Sequence, residues 1–217
     1  MSGNPEPSAK RLARFQEKVA FDKGFAGFGT SLAGMDEAGR GPLLGPVVAA
    51  CVVLPESPLL AWVDDSKKLS AARREALFDQ ITDIAVHVGV GQASALEIDE
   101  LNILGATKLA MKRAGLSAPV ALCLVDAVRD IELPFPIHSV IRGDALSYHV
   151  AAASIIAKVT RDRMLREMDR KYPAYGLASN MGYGTAAHIA ALRQQGPTPE
   201  HRRSFIRKFL QETESVS

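Results

Sequence analysis

Apolar residues recur along this chain with two different periods, and the changes of period divide it into elements. Residues 9–23 form a charged amphipathic helix with Leu12, Phe15, Val19 and Ala20 on one side, broken by the glycines between Gly24 and Gly29. Residues 1–8, with Gly3, Pro5 and Pro7, read as a loose tail. A first strand is expected from Thr30 to Glu37, stopped by Gly39-Arg40-Gly41-Pro42, and a second, Val-rich and buried, from Val47 to Leu54 before Pro55. Ser70 reads as the N-cap of a helix through Gln80, approached by the loop Asp65-Ser66-Lys67-Lys68-Leu69. Val86, Val88 and Val90 alternate in a strand from Ala85 to Gln92, and Ser94 to Gly115 is one or two helices. Val120 to Val125 is an unbroken apolar run of buried-strand length that ends on Asp126. The turn Pro134-Phe135-Pro136 precedes a short strand, Ile137 to Ile141. A long helix follows from Ser147 to Lys171, whose Ala151, Ala152, Ala153 and Ala157 let it lie close to a sheet. Pro173 ends it, and helices from Thr185 to Gln195 and from His201 to Gln211 complete the chain. This order of strands and helices predicts an α/β domain with a mixed sheet.

Length and composition change this picture little. The 217 residues, 47% hydrophobic and 23% charged, suit one folded domain, or one domain with a helical appendage. No apolar run is long enough to cross a bilayer, and no secretory signal is visible at Met1, so no membrane association is expected. Cys51 and Cys123 lie in apolar runs without metal spacing and read as reduced core residues, which points to the cytoplasm. The net charge of +2 is small, but its distribution is uneven: Lys158 to Lys208 holds eleven Lys or Arg against four acids. An acidic part beside a basic part suits an enzyme that holds cations in one place and phosphates in another. A set of solvated helix faces explains the same numbers, above all for Arg163, Arg166 and Arg170.

Candidate chemistry lies with the acids. Asp36 and Glu37 end the first strand and Asp126 ends the run ALCLV, while Asp144 sits in RGDALSYH, where it competes with Ser147 as the helix cap. Each acid alone is explained as a cap or turn residue. Together they say more: three of the four fall at or near strand carboxyl ends, which converge on the ligand crevice of open α/β sheets. Carboxylates gathered there repel one another unless cations neutralise them. Oxygen ligands of this kind suit Mg²⁺ or Mn²⁺, and two such ions about 3.5–4 Å apart can drive in-line phosphoryl displacement. His87, His138, His149, His188 and His201 are scattered, with no HxxxH or HExxH pair, and no GxxxxGK[ST] or GxSxG is present.

The segments GMDEAGRGPLLGPVVAACVV, DDSKKLS, ALCLVDA, IRGDALSYHVAAASIIAKVTRDR and YGLASNMGYGTAAHIAALRQQGPTPEHRRSF resemble, in order, the motifs of the ribonuclease HII family. They span about residues 31 to 206. The resemblance implies a ribonuclease H-like fold: a central mixed five-stranded sheet flanked by helices, with a C-terminal helical extension. Residues 1–27 would be an N-terminal tail and helix, and residues 28–217 the catalytic domain, with C-terminal helices at about 185–211. It also implies an endonuclease that degrades the RNA strand of RNA–DNA hybrids and incises 5′ of single ribonucleotides in duplex DNA. Asp36, Glu37, Asp126 and Asp144 would hold two Mn²⁺ or Mg²⁺ ions. The related type III enzymes have Glu at the third acid, so Asp126 favours type II. Gly39, Arg40 and Gly41 would read the ribose 2′-hydroxyl through their backbone, and Tyr183 would stack on the sugar. Lys67, Lys68 and Lys158, with Arg161 on the same helix, would contact phosphates. Met181 stands where relatives often carry a basic residue, which would remove a phosphate contact. A monomer is expected.

Overall fold

The computed structural model describes residues 7–25, 28 and 31–211. Most of the expected tail, Gly27 and Gly29 of the expected break, and the strand start at Thr30 lie outside the described residues. Five strands form one sheet: β1 (Leu32–Ala38), β2 (Val47–Val53), β3 (His87–Ala93), β4 (Leu122–Asp126) and β5 (Ile137–Val140). Their order is β3-β2-β1-β4-β5, with β1, β2 and β3 antiparallel and β1, β4 and β5 parallel. The expected mixed five-stranded sheet is therefore present. The helices are α1 (Ala9–Lys23), α2 (Ala71–Ile84), α3 (Ala95–Gly115), α4 (Gly143–Leu146), α5 (Tyr148–Lys171), α6 (Leu177–Asn180), α7 (Ala186–Gln195) and α8 (Arg203–Gln211).

The two faces of β2 explain its unbroken apolar run. Ala50 and Val52 pack with Ala151, Ala152 and Ala153 of α5. Val47, Ala49, Cys51 and Val53 pack on the other face with Ala106, Ala110 and Met111 of α3. A strand covered on both sides loses the polar alternation of a half-exposed one. Helix α5 lies directly on β1 because Gly34 has no side chain: a Cβ there would come within 2.0 Å of the His149 carbonyl carbon.

Several elements differ from their expected form. The valines at β3 line the more open face, with Val90 and, just before the strand, Val86 exposed, while Gly89, Gly91 and Ala93 lie against α3. Glycine lets the α3 backbone approach, so the residues chosen for closeness are not the most apolar ones. Helix α3 takes the second of its two expected forms, two segments meeting at Asn102, whose backbone leaves the helical region (φ 60°) and whose side chain caps the amides of Leu104 and Gly105. Ser70 caps α2 as expected, but the helix continues past Gln80 to Ile84. Ser8, assigned to the tail, caps α1. The buried face of α1 is Phe15, Lys18, Val19 and Asp22, not the face through Leu12 and Ala20, which are exposed. Two charged residues turn inward because each meets a buried partner, as described below. Helix α8 begins at Arg203 rather than His201, since His201 is held in an isolated bridge with Leu44.

The contact between Gly34 and α5 has a measurable consequence. Gly34→Ala is expected to destabilise the protein by about 2–3 kcal/mol or more, because backbone on both sides must separate. Urea denaturation followed by circular dichroism measures it, and an unchanged midpoint would contradict the close seating of α5 on β1.

Candidate active site

Strand register builds the site. Met35 on β1 is paired in parallel with Val125 on β4, so the next residues, Asp36 and Asp126, stand side by side. Side chains alternate along each strand, so Asp36 shares the α5 side with Gly34, and Asp126 shares it with Leu124. Asp144 arrives from α4, the single turn before α5, and Ser147 rather than Asp144 caps α5. Asp36, Asp126 and Asp144 thereby each bring a carboxylate oxygen within 4.8 Å of the others. Glu37, one residue on, lies outside this trio but lines the same cleft.

Each acid is held from behind. Asp36 Oδ1 accepts from the Glu37 amide (2.7 Å), and Asp126 Oδ1 accepts from the Gly143 amide (2.7 Å). The Asp144 carbonyl accepts from Lys18 Nζ at 2.6 Å, and Lys18 also pairs with Asp64 at 3.5 Å. Burial pulls the Lys18 ammonium below its usual pKa, with Asp64 opposing that fall. On the open side Lys67 Nζ lies 3.3 Å from Asp144 Oδ2. Asp22, also on α1, accepts from the backbone amide and ring Nδ1 of His149 (2.9 and 2.8 Å). Neither Lys18 nor Asp22 was singled out in the sequence, since both sit on what reads as the polar side of a surface helix.

The carboxyl groups carry the strain of this gathering. Burial raises the Asp36 pKa well above the usual range, and the charges of Glu37 and Asp126 raise it further. Burial also raises Glu37, although Arg40 (3.4 Å from Oε1) works against it. Asp126 is raised by burial, partly offset by the Gly143 N–H. Lys67 is lifted above its ordinary value, because the Asp144 carboxylate outweighs its partial burial. Glu37 Oε2 is buried with no hydrogen-bond partner among the described residues. Converging hard oxygen donors, an orphaned carboxylate oxygen and uncompensated charge all fit divalent cations such as Mg²⁺ or Mn²⁺.

The cleft, about 240 Å³, is lined by Asp36, Glu37, Gly39, Arg40, Gly41, Lys67, Asp126, Lys158 and Tyr183 among others. Nine of the eleven sequence-predicted site residues therefore meet in one place. Asp144 reaches the trio although it does not line the cleft, and Lys68 turns to Asp65 at 3.6 Å instead. Lys158 is engaged with Asp162 at 2.7 Å. Tyr183 is half exposed and stands over Gly41. A larger open groove, lined by Ala186, Ile189, Arg193 and Phe209, holds none of the carboxylates.

Arg161 differs from its expected role, and Arg202, given no role in the sequence, shares its new one. Arg161 is buried, and its guanidinium donates to the carbonyls of Pro46, Leu44 and Met181 (3.0–3.1 Å), so it fixes loops rather than standing free for a phosphate. Arg202, also buried, donates to the carbonyls of Gly45, Arg40 and Gly39. The Met181 side chain packs with Leu44, Leu165 and Leu177, away from a phosphate-binding role. The basic surplus is largely paired as well: Arg163 and Arg166 hold Glu75, and Arg170 holds Glu167.

His188 and His201, scattered in sequence, meet at 3.2 Å between their Nε2 atoms. His201 Nδ1 accepts from the Thr198 amide (3.0 Å), so its proton is assigned to Nε2, facing His188. His188 then donates from Nδ1 to the Tyr183 carbonyl (2.9 Å). One neutral arrangement thus reaches the backbone of the cleft tyrosine.

A five-stranded mixed sheet with clustered carboxylates at the ends of two parallel strands is the fold of ribonuclease H enzymes, as comparison with known proteins shows. The sequence model of the family described as ribonuclease HII matches residues 33–209. Ribonuclease HII of Geobacillus kaustophilus is 51% identical over 208 residues, spanning 94% of this chain and 80% of that protein. Ribonuclease HII of Acetivibrio thermocellus is 50% identical over 89% of this chain and 75% of that protein. Among solved structures, ribonuclease H2 from Pyrococcus horikoshii superposes with a TM-score of 0.69 at 30% identity, covering 84% of this chain and 98% of that one. The chain belongs to the ribonuclease HII family and is a ribonuclease H enzyme.

Burial depresses the His188 pKa, and His201 falls to about 4, because burial and then the charge of His188 disfavour its cationic form. The folded values lie below the unfolded one, so the unfolded chain binds more protons between them. Stability is complete above about pH 6.5 and is lost toward pH 4, by up to about 1.4 kcal/mol per pH unit for one proton. Denaturant midpoints from pH 8 to pH 4 for the protein and for His201→Gln check this. The gap between the two is expected to narrow on acidification, and a constant gap would contradict it.

Proposed function

We propose that this ribonuclease cuts the RNA strand of RNA–DNA hybrids and nicks duplex DNA on the 5′ side of a single embedded ribonucleotide. The products would carry 3′-hydroxyl and 5′-phosphate ends. The observation that carries the reading is the convergence of Asp36, Asp126 and Asp144 beside the Gly39-Arg40-Gly41 loop and Tyr183. Asp36, Glu37, Asp126 and Asp144 would hold two Mg²⁺ or Mn²⁺ ions. Two ions so held supply water activation and charge neutralisation at the leaving 3′ oxygen.

The chain's own groups have separate tasks in this reading. The Gly39-Arg40-Gly41 backbone meets the ribose 2′-hydroxyl, which distinguishes RNA from DNA at one position. Tyr183 offers a half-exposed ring beside Gly41 on which the sugar can rest. Lys67 and Lys158 bring cationic ends to the cleft wall and position the phosphate backbone without reading bases. Lys68 would act farther along the strand. The free, fully buried Cys51 and Cys123 support a reducing compartment, the cytoplasm.

The test is a DNA duplex carrying one ribonucleotide, incubated with Mg²⁺ or Mn²⁺, with the nick mapped to the nucleotide. A single nick 5′ of the ribonucleotide is expected; intact substrate under both metals would end the reading. Asp126→Asn is expected to slow cleavage by at least about a hundredfold, more than loss of an outer-shell partner usually costs. Retained hybrid affinity alongside that loss would separate catalysis from binding, and parental cleavage would remove Asp126 from the site.

A further inference from the structure

Arg202 precedes α8 and is fully buried, yet no carboxylate bonds its guanidinium among the described residues. Nη2 donates to the Gly39 carbonyl at 2.6 Å, Nη1 to the Arg40 carbonyl at 3.0 Å, and Nε to the Gly45 carbonyl at 2.9 Å. Its own position is fixed on both sides. The Arg202 amide donates to the Leu43 carbonyl at 2.9 Å. Asp99 of α3 accepts from the amides of Arg203 (2.7 Å) and Ser204 (2.9 Å), capping α8 from a distant part of the chain.

The carbonyl of Gly39 belongs to the same peptide plane as the N–H of Arg40, and the carbonyl of Arg40 to that of Gly41. Both peptides are trans, so each N–H points opposite to its carbonyl. A guanidinium gripping both carbonyls from the interior turns both N–H groups outward, to the side where these residues line the cleft. Neither amide finds an acceptor among the described residues. Positive charge at the carbonyl end also polarises the peptide and strengthens its N–H as a donor.

We propose that Arg202 is the positioning residue for sugar selection, holding the Arg40 and Gly41 amides aimed at the oxygen of a substrate sugar hydroxyl. Arg202 itself touches no substrate. The inference rests on the reading of the Gly-Arg-Gly loop given above and adds the group that sets its direction. The selective element is then two main-chain donors preset by a buried cation, rather than the Arg40 side chain, whose guanidinium faces Glu37.

Arg202→Lys tests it, since one ammonium cannot hold two carbonyls in the same fork. In the substrate-free protein the ¹⁵N–¹H signals of Arg40 and Gly41 should both move. Fluorescence anisotropy with Ca²⁺ compares a duplex carrying one ribonucleotide with the same duplex in DNA alone. The variant should lose roughly tenfold of its preference for the ribonucleotide, about one hydrogen bond's worth, while its affinity for plain DNA is kept. Leu77→Ala, a core truncation in α2, controls for lost stability and should keep the preference. Unmoved amide signals, or a retained preference, would overturn the proposal. A wild-type protein with no preference would instead overturn the Gly-Arg-Gly reading, while the amide signals would still decide what Arg202 holds. Should Arg202→Lys fail to fold, Asp99→Asn, which loosens the segment carrying Arg202, should shift the same two signals, and their constancy would refute the proposal.

Discussion

Carboxylates crowded at one end of a sheet push one another apart, and the rest of this molecule is arranged against that push. Three aspartates from β1, β4 and α4 hold oxygens within 4.8 Å of one another, and burial with the charges of Glu37 and Asp126 raises the Asp36 pKa well above the usual range. Parallel pairing between β1 and β4 fixes two of them at the backbone, where a strand cannot slip by one residue without turning its face over. The third hangs on a short turn that would give way most easily. That turn is held from the interior by Lys18, which reaches the Asp144 carbonyl from a helix 126 residues away in sequence. The N-terminal helix is thus part of the site's frame, through Lys18 and through the buried Asp22–His149 contact.

The loop opposite the acids is held by a different device. Arg161 and Arg202 are both buried, and six backbone carbonyls, three for each, take the place of carboxylate partners. Burial lowers both pKa values, to about 10 and about 9, because a charge is costly to keep inside. A planar guanidinium with five donors joins strands of loop that have no regular ladder between them. A carboxylate partner would neutralise the charge but occupy the donors. The carbonyl arrangement keeps every donor available for holding main chain.

Much of this was legible from local pattern. Unbroken apolar runs marked β2 and β4, and acids at strand ends marked three of the four carboxylate positions, because both depend on neighbours one or two residues away. What was not legible depends on partners far along the chain. Arg202 meets Gly39 across 163 residues, and His188 meets His201 across a turn that makes them look unrelated in sequence. Arg161 read as a phosphate contact because an Arg on a basic helix ordinarily faces solvent, and nothing nearby signals that it turns inward. The valines marked β3 correctly, but not which face meets α3, because contact with α3 there selects for the absence of a side chain.

That distinction separates the glycines of the Gly-Arg-Gly loop. Gly39 has φ +96°, and a Cβ there would lie 2.0 Å from Arg161 Nε, so the fold alone excludes any other residue. Gly41 has no positive φ, and its nearest neighbour would be Tyr183 at 3.5 Å, an ordinary van der Waals contact. Folding therefore gives no reason for glycine at 41. What a side chain there would obstruct is the open side of the cleft, in front of the Gly41 amide and the Tyr183 ring. Of the two glycines, one keeps the buried arginine seated, and the other keeps the approach to the main chain clear.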